Sequence, residues 1–292
     1  MNEQTVFSIS GLRFGLNTES PVAVPESFRP FLSEAPADVQ ISFREVPSIS
    51  LPEGVQVFRD EDIAVFDCGG RFVRLCHQHG GDRDAELTRI FAAASYDWDT
   101  GLGQVQYSDL RRSAFSDSKG CFAHMGFEDI LMSRGRLALH ASLIRTDRGG
   151  ILFSGVSGIG KSTQADLWHR YEGSPILNGD RPILRKTDHG WEACGSPFAG
   201  SSRYYVNESV PIRAVVLLEQ GPTCRLRRLG PAEAFCGLYA GTTVNIWNNR
   251  YVLRACDLLE DLIRQVPVYR YCCTPDEQAV RTLKAELAKG GE

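Results

Sequence analysis

Between Gly155 and Ser162 the chain reads Gly-Val-Ser-Gly-Ile-Gly-Lys-Ser, a full match to the pattern G-x-x-x-x-G-K-[ST]. Each fixed position answers a physical need. Glycine lets the backbone take positive φ and come close to a phosphate group. Successive N–H groups then converge on one anion site. A helix that follows adds the positive end of its dipole, about half a unit charge. Lys161 is spaced to reach β- and γ-phosphates, and the Ser162 hydroxyl to ligate Mg²⁺. The flanks agree: GGILFSG is an apolar, strand-like run, and KSTQADLWHRY has helical spacing with Ala165, Leu167 and Trp168 on its apolar side. At average composition, four fixed positions match by chance in about one chain in a hundred of this size. The candidate phosphate-binding set is therefore Gly155, Val156, Ser157, Gly158, Ile159, Gly160, Lys161, Ser162 and Thr163. The implied ligands are ATP or GTP with Mg²⁺.

Such a loop needs a carboxylate to complete its metal site. Asp180 ends the apolar run PILNGD, a short turn after the predicted helix. It comes near Ser162 if the two strands are neighbours. The bland alternative is a turn, because Asn-Gly-Asp is also good turn sequence. His140, in LALHAS, falls on a predicted strand before the loop strand. It is placed either to touch a transferred phosphate or orient a carboxylate, or to be a core histidine. Arg181, Ser201 and Arg203 are candidates for an acceptor site, the last two in the small, polar loop GSPFAGSSR. Against that stand a solvated strand end and a plain surface loop.

The rest of the chain sets bounds. A formal charge of −4 over 292 residues gives no basic field for nucleic acid or an anionic membrane. No apolar run reaches the roughly 18 residues of a membrane span. The start, MNEQTVFSIS, does not read as a signal peptide. Nine scattered cysteines without a CxxC pair suggest reduced, mostly buried thiols and a cytoplasmic protein. Residues 1–115 read as a β-rich region. TVFSISGLRFGL reads as a hairpin around Gly11, and DAELTRIFAAAS has helical spacing with strand in part. The polar stretch 112–120 is a plausible boundary, and 116–292 reads as α/β. There RLALHASLIR reads as one core strand, and CRLRRL as pairing beside IRAVVLLEQ. Cys76-His77-Gln78-His79 lacks a second ligand pair at zinc spacing. Cys272 and Cys273, on a predicted strand, face opposite ways. Trp247 either stacks on a ligand or covers core.

The block LALHASLIRTDRGGILFSGVSGIGKSTQADLW, with PILNGDRPIL and GSPFAG, resembles the C-terminal catalytic domain of bacterial HPr kinase/phosphorylase, which shares its fold with phosphoenolpyruvate carboxykinase. It is more similar still to the HPr-kinase-like proteins of peptide-modifying gene clusters and to related small serine kinases. The resemblance covers roughly residues 125–285. It implies an α/β (α+β) fold with the P-loop on a β-rich scaffold, and phosphoryl transfer from ATP to a serine-type hydroxyl of a peptide, protein or small molecule. By position, Lys161 and Ser162 hold phosphates and metal, His140 lies beside the reaction centre, and Asp180 is the second of an Asp-Asp pair. The first of that pair, usually assigned as general base, is Gly179 here. Thr163 stands where HPr kinases typically have Glu, and Val156 replaces an acidic residue. The GSPFAG loop implies that Arg203 neutralises transferred charge. Relatives are often oligomers, so a homo-oligomer is implied. Two other functions compete. One is a module that binds or hydrolyses NTP and acts through a partner, which the missing aspartate favours. The other is a carboxykinase-like enzyme, for which no second set of metal ligands and no arginine pair stands out.

Overall fold

The computed structural model describes residues 3–19, 24–77, 90–108 and 118–289. By internal contacts the chain divides into two compact units. One is Met1–Arg134 with Asn245–Val252, and the other is Gly135–Val244 with Leu253–Glu292. This border lies later in the chain than the change of composition near residue 115.

The first unit is built on a sheet. Its strands are β1 (Glu3–Ile9), β2 (Leu12–Thr18), β3 (Val39–Glu45), β4 (Val55–Arg59), β5 (Ile63–Asp67), β6 (Phe72–His77), β7 (Ile90–Tyr96) and β8 (Leu102–Tyr107). Among the described residues they lie in the order β1-β2-β3-β8-β7-β6-β5-β4. The hairpin β1–β2 turns on Ser10 and Gly11, with φ of 53° and 70°. Two positive-φ residues match the right-handed twist of the strands, which is why a glycine serves there. The described part of DAELTRIFAAAS is strand β7, not helix: its buried Phe91–Ala94 lie between β6 and β8. Residues 84–89 lie outside the described residues, as does most of the stretch 112–120, whose last three residues open helix α1 (Ser118–Met125). Helix α2 (Phe127–Ser133) brings Phe127 against Phe14, ring centroids 5.0 Å apart. Trp247 packs on Phe58 at 4.6 Å, with the Arg74 guanidinium over its ring. His79 lies outside the described residues.

The second unit carries β9 (Arg136–Ala138), β10 (Ala141–Thr146), β11 (Gly149–Ser154), α3 (Lys161–Glu172), β12 (Ile176–Asn178), β13 (Ile183–Thr187), β14 (Gly190–Cys194), β15 (Ser209–Gln220), β16 (Arg225–Arg228), α4 (Pro231–Gly241), β17 (Val268–Cys273) and α6 (Glu277–Lys289). Helix α5 (Asn249–Gln265) precedes β17. Among the described residues the strand order is β12-β10-β11-β15-β14-β13-β9, with β17 on β15 and β16 on β17. The sheet is mixed: β11 runs antiparallel to β10 and parallel to β15.

Three strand readings change. RLALHASLIR is not one strand but breaks at His140, because β9 pairs with β13 whereas β10 pairs with β11 and β12. The strand before Asp180, β12, pairs with β10 and is not adjacent to β11. CRLRRL pairs with β17, because β17 itself occupies the edge of β15 from Val215 to Gln220. One buried cluster joins sheet and helices, with Ile151, Phe153, Val216 and Tyr271 against Trp168 of α3 and Leu283 of α6. Asp276 caps α6, its Oδ1 accepting from the N–H groups of Gln278 and Ala279 at 3.0 and 3.3 Å. No helix among the described residues is long and apolar enough to cross a membrane.

Candidate functional site

Strand β11 is buried along Gly150–Ser154 and ends directly in the glycine-rich loop. Gly155, Gly158 and Gly160 take φ of 145°, 79° and 112°. No atom lies within 4 Å of where a Cβ would stand on Gly158 or Gly160. The loop is therefore open at these glycines, as a backbone anion site requires. Gly160 is also the N-cap of α3 and offers that helix end no side chain. An anion is the partner that the dipole and the first-turn N–H groups favour.

Lys161 arches back over the loop. It is 8% exposed, and its ammonium donates to the carbonyls of Gly155 and Val156, both at 3.1 Å. Burial pulls its pKa down, and the charge of Asp180 opposes that. Ser162 and Thr163 are exposed on the first turn of α3, as are Val156, Ser157 and Gly158 on the loop. Ile159 instead packs against the core cluster.

Asp180 and Arg181 are presented by a turn that Asn178 builds. Asn178 is fully buried, and its Oδ1 accepts from the backbone N–H of Asp180 at 3.0 Å and of Arg181 at 2.7 Å. Its amide donates to Ser196 O and Oγ at 3.0 and 3.2 Å. The Ser196 hydroxyl in turn donates to Arg181 O at 2.6 Å. Asn-Gly-Asp is therefore a turn, and Asp180 stands on it. His140 meets it from the break between β9 and β10, with Nε2 3.3 Å from Asp180 Oδ1. The His140 backbone is fixed at both ends, donating to Gly241 O at 2.8 Å and accepting from Ser154 Oγ at 2.9 Å. Ser154 is the last residue before the loop, so the histidine and the cradle share an anchor.

Burial raises the Asp180 pKa, but hydrogen bonding to His140 and the charges of Arg181, His140 and Lys161 outweigh it and hold it below the usual carboxylate value. Asp180 is therefore a carboxylate at neutral pH. Arg181 Nε lies 3.7 Å from Asp180 Oδ2, and its Nη1 donates to Thr243 Oγ1 at 2.7 Å. The structure thus brings His140, Asp180, Arg181 and Lys161 together. Ser201 and Arg203 are exposed on the loop after β14. The contacts from that loop to the Asp180 turn come from neighbours the sequence did not single out. Gly200 lies where a Cβ would stand 2.9 Å from the Asp180 carboxylate, and a Cβ on Gly179 would overlap Ser202 Oγ and stand 2.5 Å from its Cβ. Ser202 fills the space beside Gly179 in which a second carboxylate would have to begin.

The donor set suits the implied ligands. The open glycine loop and Lys161 fit a polyphosphate, and the ionised Asp180 and the exposed Ser162 hydroxyl are each donors of the type a hard divalent cation takes. Among the described residues no group of three or more His, Cys, Asp or Glu side chains forms a metal cluster of their own.

No family model matches the chain. No curated protein matches it either. Among solved structures it is similar to the Hpr(Ser) kinase/phosphatase from Coxiella burnetii, at 14% identity and a TM-score of 0.32. The match covers 52% of this chain and 93% of that one. The likeness is distant and transfers no residue roles.

Proposed function

We propose that this protein binds a nucleoside triphosphate with Mg²⁺ on the Gly155–Ser162 loop. It transfers the γ-phosphoryl group to a hydroxyl, of serine type, on a peptide, protein or small molecule. The observation that carries this reading is the 3.3 Å contact of His140 with Asp180, in a group where Lys161 and Arg181 also act on the carboxylate. It sets a fixed carboxylate and two cations beside a phosphate cradle.

In this reading Lys161 exchanges its two loop carbonyls for β- and γ-phosphate oxygens. Ser162 and Asp180 would hold Mg²⁺, and the ion would supply neutralisation of phosphate charge. Asp180 also takes the proton of the acceptor hydroxyl. His140 holds the carboxylate in one orientation, and Arg181 steadies charge on the transferred group. Ser201 and Arg203 flank the acceptor. Phosphoryl transfer rests mainly on such positioning and charge neutralisation. The proton step contributes about 10²–10⁴-fold, so a single carboxylate with Gly179 beside it is sufficient for slow chemistry.

Incubation with γ-labelled ATP, Mg²⁺ and pools of free serine, peptides and HPr tests this. Label on a hydroxyl acceptor is the expected outcome. Release of free phosphate alone would favour the second reading, a nucleotide-hydrolysing module that acts through a partner. The observation for that second reading is the closure of the Gly179 position by Ser202.

A further inference from the structure

Strands β16 and β17 run antiparallel with Arg225 opposite Cys272 and Leu226 opposite Tyr271. Continued one step past the end of β16, this register puts Cys224 opposite Cys273. Directly opposed residues of an antiparallel pair share a face. Here it is the inner one: Cys273, Tyr271, Leu226 and Cys224 all pack in the cluster beneath α3. Opposed Cα atoms are about 4.5–5.5 Å apart, inside the span of about 4.4–6.8 Å that a disulfide bridges. The two thiols are also electrostatic neighbours. Cys272 points the other way, its sulfur filling the space beside Gly221. Sequence adjacency singles out Cys272 and Cys273, but Cys273 pairs with Gln220 of β15 on one side, and the β16–β17 register continued puts Cys224 on the other.

We propose that Cys224 and Cys273 are a reversible disulfide site, and that its state is felt in the first turn of α3. Cys224 is the attacking thiol: it is half-buried, not enclosed, and its sulfur lies 3.5 Å from Thr274 Oγ1. Burial raises its pKa, but hydrogen bonds with Thr274 and Tyr271 outweigh this and lower it, which favours the thiolate. Cys273 is buried and its thiol is pushed up to about 12, by burial first and then by the neighbouring Cys224 charge. The co-reactant is a low-molecular-weight disulfide. Cys224 thiolate attacks one of its sulfurs, forming a mixed disulfide and releasing one thiolate. Cys273, losing its proton to water, then attacks Cys224 Sγ, forming the intramolecular bond and releasing the second thiolate. The protein loses two electrons and two protons, and the small disulfide is reduced to two thiols.

The link to α3 is Gln164. Its Nε2 donates to Cys273 Sγ at 3.2 Å and to Thr274 O at 3.4 Å, while its Oε1 is buried with no hydrogen-bond partner among the described residues. Drawing Cys273 Sγ toward Cys224 takes the sulfur from Gln164, three residues after Lys161. This inference does not depend on the proposed function.

The test equilibrates the full chain in glutathione buffers of graded oxidised-to-reduced ratio, then traps thiols by alkylation and maps peptides. The expected result is a reversible loss of two thiols and a link between the Cys224 and Cys273 peptides. It is abolished in Cys224→Ser and in Cys273→Ala, and kept in Cys272→Ser. Amide exchange across residues 161–165 is expected to be faster in the oxidised chain. Glutathione left on Cys224 without a link, or a link through Cys272 or Cys236, would overturn the pairing. Because the wild-type map alone decides the pairing, a variant that fails to fold does not rescue it. A link with unchanged exchange would overturn the coupling to α3.

Discussion

Asn178 shows how little of a site need touch a ligand for the site to depend on it. With no exposed surface, it spends both ends of its amide on fixing one turn. Asn178→Ala strands the Asp180 backbone N–H and the Ser196 carbonyl, while the Arg181 N–H keeps the Phe198 carbonyl at 3.2 Å. The expected loss is about 3 kcal/mol, since each unsatisfied buried group costs about 1–3 kcal/mol, measurable by urea denaturation. Gly179 makes a second case. Gly179→Ala drives a Cβ into Ser202 and is expected to cost about 1–3 kcal/mol as overpacking. Ser202→Gly in the same chain restores most of it if that contact is the cause, and restores nothing if the backbone at 179 is. Asp180 supplies the pH prediction at this scale. Its folded pKa is lowered from 3.8, so its contribution to stability is present above that value and is lost as pH falls below it. Transfer should therefore show no acid limb from Asp180 between pH 5 and 7.

At the scale of elements, strand β11, the glycine loop and helix α3 act as one piece. Lys161→Ala removes the only side-chain charge in that piece that meets the loop carbonyls Gly155 and Val156 directly. Nucleotide affinity measured by titration should fall at least tenfold while the helix content is kept, because Ala is the best helix former. This piece was legible in the sequence because each of its requirements is local: an apolar run, glycines at fixed spacing, a helical apolar face. The hairpin at Ser10–Gly11 was legible for the same reason. What was not legible depends on partners far along the chain. The break at His140 arises because β9 and β10 choose different neighbours, and alternation of apolar residues runs straight through it. Asn178, Ser196, Gly200 and Ser202 look like ordinary turn residues until the loop after β14 folds onto the Asp180 turn. Asn178 alone left a trace, since Asn two residues before a needed carboxylate is the pattern of a side chain capping its own turn. The cysteines, expected to be mostly buried, include only three buried among those described, because several lie on outer strand and helix faces.

At the scale of the molecule, each unit gathers its own group of charges. In the first, Arg74 pairs with Glu128 while Asp129 accepts from Asn245 Nδ2 at 3.0 Å. Burial, with the Glu128 charge added, pushes Asp129 up from 3.8 to about 6. A raised carboxyl stabilises the folded state most below the lower value and loses that effect as pH rises to the higher one. Stability of this unit should therefore decline between about pH 4 and about pH 6, and Asp129→Asn should flatten the decline in a series of thermal melts. In the second unit the charges of His140, Lys161 and Arg181 converge on Asp180, the carboxylate on which the proposed transfer depends. The decisive measurement follows label from γ-labelled ATP onto a hydroxyl acceptor and into free phosphate, in the wild type, in Asp180→Ala and in Lys161→Ala. Transfer in the wild type that drops about 10²–10⁴-fold in Asp180→Ala, with nucleotide binding weakened in Lys161→Ala, is the predicted result. Transfer or phosphate release at the same rate in all three proteins would contradict it.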